Sequence, residues 1–156
     1  LRSYSEELSI SGQTPYTKVI AFDTVDISNM EMAGRELPAG TYLRLVRLRF
    51  ADKKPAVLIT TYLSKEDFSS LLKVDFSKLS LYKTLNENYG LISTTSHRRL
   101  KAMNAGHACA RYLGLSESDA ILAMESMTYD QNGKLLESSI ERFGSEPCYY
   151  DFIVHR

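Results

Sequence analysis

Val46, Leu48 and Phe50 are apolar, and Arg47 and Arg49 stand between them. A period of two belongs to a strand with one face in a core and the other open to polar neighbours. Residues 41–50 and 55–63 read as two such strands, joined by the charged turn Ala51-Asp52-Lys53-Lys54. Residues 16–27 are rich in Val, Ile, Thr and Phe and read as a strand. Residues 91–103 form a long strand bearing Thr, Ser and Arg. Residues 121–129 and 134–143 flank Asp130-Gln131-Asn132-Gly133, and Asn-Gly is a hairpin signal. A final strand is predicted over 148–154.

Helical stretches interrupt these strands. Residues 3–9 have Ser3 and Glu6 at capping-box spacing and end by Gly12. Residues 31–37 are predicted as a short helix closed by Pro38 and Gly40. Ser64 caps a helix over 65–72, Gly90 closes one over 80–89, and Gly114 closes one over 105–113. About six strands, several in hairpins, imply an α+β fold with a largely antiparallel sheet. The chain shows no internal repeat, and residues 1–156 read as one domain.

Composition narrows the function more than the fold. Of 156 residues, 44% are hydrophobic and 24% charged, which excludes a disordered chain. No run approaches 18 uncharged apolar residues, so no spanning helix and no membrane partner are expected. Lys plus Arg is 19 and Asp plus Glu is 19, a balance that argues against DNA binding by this chain itself. Two cysteines, Cys109 and Cys148, without CxxC spacing fit a reduced, cytoplasmic setting. The chain opens on Leu1, and nothing near it looks like a signal peptide; the expectation is a cut inside a longer protein.

The candidate chemistry is binding chemistry. Arg47 and Arg49 share one strand face, where two guanidiniums either clamp a phosphate or carboxylate or pair with surface carboxylates. Ser3-Tyr4-Ser5 and Ser80-Leu81-Tyr82 each open a helix, where free N–H groups either hold an anion or are simply capped. Glu137 is a strand carboxylate that either accepts ligand hydroxyls or pairs with an arginine such as Arg142. Arg98, Arg99 and Lys101 split between strand faces and read as a solvated edge. His97 reads as exposed and His107 as the edge of a core. No HExxH, Cys/His cluster, GxSxG or P-loop is present, so no metal, cofactor or catalytic residue is assigned.

Taken in order, the pieces resemble the UTRA effector-binding domain of GntR-type transcription regulators of the HutC subfamily. They are Ser3-Tyr4-Ser5-Glu6-Glu7, Arg47-Leu48-Arg49-Phe50-Ala51-Asp52 with Pro55, and Tyr62-Leu63. Ser80-Leu81-Tyr82, the helix ending Tyr112-Leu113-Gly114, Tyr129-Asp130 with Gly133, Glu137-Ser138 and Arg142-Phe143 follow. The resemblance implies a chorismate-lyase-like fold around a six-stranded antiparallel sheet. It also implies a pocket for a small anionic metabolite, often a phosphosugar, a homodimer, and DNA contact only through a winged helix-turn-helix absent from this chain. By position, Ser3, Tyr4, Ser5, Arg47, Arg49, Ser80 and Tyr82 would form the anion end, and Glu137 would hold hydroxyl or amino groups at the far end. Arg142 would turn into the pocket or pair with Asp151.

Two positions depart from the pattern of the sugar-phosphate binders. Ile59 stands where Glu is common, and Phe143 where Tyr is common. Val57, Ile59, Thr61 and Leu63 share a face and make an apolar wall. The ligand expected is therefore an anion with a less hydroxylated or differently substituted body. The alternatives are an enzyme of the same fold, a chorismate lyase, or a domain that only dimerises around a degenerate pocket.

Overall fold

The computed structural model describes residues 15–144. The predicted helix over 3–9 and strand over 148–154 lie outside the described residues. Eight strands and three short α-helices follow in the order β1 Pro15–Ile27, β2 Met30–Met32, β3 Arg35–Leu37, β4 Gly40–Ala51, β5 Lys54–Ser64, α1 Lys65–Phe68, α2 Leu81–Tyr89, β6 Ser93–Asn104, α3 Gly106–Leu113, β7 Ala120–Asp130 and β8 Leu135–Phe143. A 3₁₀ turn, Ser69–Lys73, follows α1 directly, so the stretch predicted as one helix over 65–72 is two pieces. Six strands form one sheet in the order β1-β4-β5-β8-β7-β6, and every neighbouring pair is antiparallel.

One element contradicts the sequence reading. Residues 31–37 are not a helix but part of the hairpin β2–β3, with Met32 paired to Arg35 across Ala33 and Gly34. Ala33 and Gly34 both have positive φ, 52° and 75°. That is the geometry of a two-residue turn matched to strand twist. The turn is fixed from outside, because the Ala33 N–H donates to the Glu125 carboxylate at 3.1 Å. Tertiary contact overrides a weak local helix preference here.

Two covers define two faces. On the back face, Leu48, Leu58 and Ile121 pack against Ala105, Cys109, Ala110 and Leu113 around α3. Beside them Met32 and Leu37 of the small hairpin pack against Ala123, Met127 and Ile140. On the front face, Leu43, Leu45 and Leu63 pack under Phe68, Leu71, Phe76, Leu81 and Leu85. Burying side chains of this size supplies roughly 1.5–3 kcal/mol each. Among the described residues this front cover packs at the Leu43–Leu45 end of β4.

Candidate functional site

A β-bulge sets the register of the site. Glu137 pairs with Thr128, but the next rung joins Leu135 to Tyr129, so Leu136 has no rung of its own. Strict alternation would put Leu136 and Glu137 on opposite faces. The extra residue lets Leu136 join the front core while Glu137 also faces front. Beyond it the alternation resumes, and Glu137, Ser139 and Glu141 all point to the front.

The antiparallel register then lays polar groups out in rows, because directly opposed residues share a face. Arg49, Val57 and Phe143 form one row across β4, β5 and β8. Arg47, Ile59, Glu141 and Met124 form the next. Thr61, Ser139, Ser126 and Arg98 form a third. A cavity of about 330 Å³ opens over these rows, and the segment from Phe76 to Tyr82 supplies the opposite wall. The volume lies in the range of small-molecule sites. A larger, shallower depression of about 810 Å³ borders Tyr42, Tyr62 and the Lys134–Asp67 ion pair; Glu137 reaches its edge, and among the described residues no guanidinium lines it.

Charged side chains are buried around this cavity. Arg47 is 8% exposed and among the described residues makes one long hydrogen bond, donating from Nη2 to Thr61 Oγ1 at 3.4 Å. Its Nε has no hydrogen-bond partner among the described residues. Burial, with help from Arg49 nearby, lowers the Arg47 pKa to about 10. Glu137 is 2% exposed; its Oε1 accepts from the Tyr82 hydroxyl at 2.7 Å, and its Oε2 has no partner among the described residues. Burial raises the Glu137 carboxyl above its usual range, against hydroxyls of Thr128, Tyr82 and Ser139 that favour the charged form. Glu141 is raised as well, by burial first, with Arg98 and Arg47 pulling it down and Glu137 pushing it up. Tyr82 keeps 39% of its surface exposed, yet its hydroxyl turns inward, and burial followed by the Glu137 charge raises its pKa. A buried charge or polar atom without a partner costs about 1–3 kcal/mol or more. Among the described residues two such atoms, Arg47 Nε and Glu137 Oε2, belong to side chains that line one cavity.

Of the residues singled out in the sequence, Arg47, Arg49, Ile59, Thr61, Ser80, Tyr82 and Glu137 all line this cavity. Ser3, Tyr4 and Ser5 lie outside the described residues. Phe143 stands on the same face but packs on Ala56, Val57 and Ile59, outside the cavity lining. Arg142 does not reach the cavity. It pairs with Leu58 and Ala123 in the sheet and so faces back, near Cys109. It lies five positions after Glu137, an odd offset, so a regular strand puts the two on opposite faces.

The sequence reading missed Arg98, Glu141, Ser126, Thr128 and Ser139, and the 76–79 segment. Arg98 read as part of a solvated edge; it is exposed, yet it also borders the cavity. The signal was present in β7 and β8, where hydroxyls and carboxylates recur at every second position of strands that are otherwise buried. Ser80 caps α2, its Oγ accepting from the Lys83 N–H at 3.5 Å. No group of His, Cys, Asp and Glu among the described residues is placed to hold a metal ion. No helix among them is long and apolar enough to cross a membrane.

Residues 11–146 match the model of the UTRA domain. The chain is similar in structure to the effector domain of PhnF from Mycobacterium smegmatis, with a TM-score of 0.86 and 18% identity over 99% of this chain and 95% of that one. It is also similar to PhnF from Mycobacterium smegmatis at greater length, with a TM-score of 0.88 and 17% identity over 99% of this chain and 69% of that one. A GntR-family transcriptional regulator from Enterococcus faecalis V583 gives a TM-score of 0.72 and 24% identity over 90% of this chain and 99% of that one. These identities carry the α+β fold, and the match over most of the chain carries the family: this chain belongs to the UTRA domain family.

Proposed function

We propose that this domain is a non-catalytic sensor that binds a small anionic metabolite over Arg47 and Arg49. The observation that carries this reading is the buried Arg47 guanidinium, which borders the cavity with its Nε unpartnered. A phosphate or carboxylate would complete that donor set, and the N-terminal end of α2 at Ser80 would add a favourable dipole. Phosphorylated compounds, phosphosugars among them, suit such a site. In the full-length protein the domain would sit in a cytoplasmic homodimer of the GntR type. Ligand binding would bias the position of a winged helix-turn-helix and so its hold on operator DNA. That coupling is bounded by the ligand's differential affinity for the two arrangements.

The unpartnered Arg47 and Glu137 atoms speak against a pocket that has degenerated, since a site under no demand gains stability by losing them. The test is a thermal-shift series with inorganic sulfate, inorganic phosphate and n-propyl phosphate. At 100 times its dissociation constant a ligand adds about 2.7 kcal/mol, a rise of roughly 5–11 °C for a domain of this size. The rise should vanish in Arg47→Ala. No rise with any of the anions would overturn the sensor reading. Release of 4-hydroxybenzoate from chorismate, followed by ultraviolet absorbance, would replace it with the lyase reading.

A further inference from the structure

The cavity is not simply basic. Arg47, Arg49 and Arg98 line it, but so do Glu137 and Glu141. Their positions are ordered along the sheet. Arg47 and Glu141 lie in the same row with Ile59 between them, two strand spacings or about 9–10 Å apart at Cα. Both carboxylates belong to β8, and the Arg47–Arg49 pair belongs to β4. A compound lying across Ile59 therefore meets Arg47 and Arg49 at one end and, at the other, Glu137 and Glu141 of β8, with Arg98 of β6 beyond them.

A plain anion is poorly matched to such a site. The carboxylates feel the guanidiniums' charges but do not clamp them, for among the described residues neither glutamate closes an ion pair within 4.0 Å. Glu137 Oε2 is buried with no partner among the described residues, an acceptor waiting for a donor. Ile59, the one apolar rung between the charged ends, suits a short carbon skeleton better than a ring of hydroxyls. Like charges facing the wrong end of a ligand cost affinity, so the carboxylates also select against a second anionic group.

From this geometry we infer that the effector is zwitterionic: an anionic head on Arg47 and Arg49 joined by a short apolar body to an ammonium group held by Glu141 and Glu137. The inference rests on the sensor reading above and names its ligand class. Glu141 then determines specificity, because it sets the charge demanded at the far end.

Matched pairs of probes test it. O-phosphoethanolamine and n-propyl phosphate have the same heavy-atom skeleton and differ by an ammonium in place of a methyl. 3-Aminopropyl phosphate and n-butyl phosphate extend the pair by one carbon. Calorimetric titration of the whole domain should give at least tenfold tighter binding for the amino member of one pair. In Glu141→Gln that ratio should fall to threefold or less, while the affinity for the alkyl member stays within threefold. Equal affinity within both pairs, in the unaltered protein, would overturn the zwitterion and leave the anion sensor standing. An amine preference that survives in both Glu141→Gln and Glu137→Gln would overturn the assignment to these carboxylates. Absence of binding by all four compounds and by sulfate would overturn the sensor reading and the inference together.

Discussion

Two glutamates lie buried on adjacent strands of one sheet and face opposite ways. Glu125 on β7 is 8% exposed and Glu137 on β8 is 2% exposed. Glu125 is closed. One oxygen accepts the Ala33 N–H at 3.1 Å, and the other takes Lys101 in an ion pair. Burial pushes its carboxyl up, but Lys101 and the Ala33 N–H outweigh burial and hold it below its usual range. Glu137 is open. Its Oε1 takes the Tyr82 hydroxyl, its Oε2 has no partner among the described residues, and its carboxyl stands above the usual range. The same residue type at similar depth is thus a rivet on one face and, on the proposed reading, a receptor on the other. What separates the two is whether the fold itself supplies the remaining partners.

The contrast breaks most visibly on the face that carries Arg47 and Glu137. Arg47→Met keeps most of the volume and removes the charge. It should abolish the thermal shift given by n-propyl phosphate and yet leave the unliganded domain as stable as before, or more so, by up to about 4 kcal/mol. A melting temperature several degrees lower would make Arg47 structural. On the other face, Glu125→Ala should cost about 1–3 kcal/mol, because it strands the Ala33 N–H. Chemical denaturation should show that loss, and calorimetry should show phosphate affinity within twofold of the original. Glu137→Gln should leave stability near neutral pH undiminished and reduce the preference for O-phosphoethanolamine over n-propyl phosphate.

Acidity sharpens the same comparison. A raised folded-state pKa means that the native protein holds its proton more tightly than the unfolded chain does. The stability that Glu137 and Glu141 contribute is therefore present below their ordinary value of 4.5 and declines as pH rises through their raised values. Glu125 runs the other way: its contribution is present above 4.5 and is lost as pH falls through its lowered value. The melting temperature of the unliganded domain should fall more between pH 5 and 7.5 than that of Glu137→Gln. An ammonium-bearing ligand favours the ionised carboxylates and should release protons on binding, read by calorimetry in two buffers of different ionisation enthalpy. Parallel pH profiles for the two proteins would show that Glu137 titrates alike folded and unfolded.

Much of this was legible in the chain. The alternation of Arg47 and Arg49 with Val46, Leu48 and Phe50 gave the strand and the face, because period-two patterns survive any tertiary context that buries one side. Gly90 and Gly114 marked helix ends, and both residues have positive φ. The 31–37 hairpin was not legible, since Ala33 takes positive φ only with Glu125 holding its N–H, a contact across 92 residues. Nor was the bulge at Leu136, which belongs to a pair of strands and not to either alone. Arg142 and Glu141 show a different limit. Parity from Glu137 picks Glu141, while the family pattern picked Arg142, and the structure follows parity. Loop residues 76–79 carry no periodic signal at all, so their place over the sheet comes from packing, with Phe76 as the anchor.

The smallest effect compares two helix caps. Ser64 Oγ accepts the Asp67 N–H at 3.4 Å at the start of α1, and Ser80 Oγ accepts the Lys83 N–H at 3.5 Å at the start of α2. Both bonds are long, so replacing either serine by alanine should cost stability alike, about 0.5–1 kcal/mol. Only Ser80 lines the guanidinium-bearing cavity; Ser64 borders the shallower depression. If an anion sits between Arg47 and the end of α2, Ser80→Ala should also weaken n-propyl phosphate by about fivefold, the equivalent of one hydrogen bond near 1 kcal/mol. Ser64→Ala should leave that affinity unchanged. Equal affinities in the two variants would move the anion off the helix and onto the strand arginines alone. The Ser80 hydroxyl would then be a cap and nothing more, as Ser64 is.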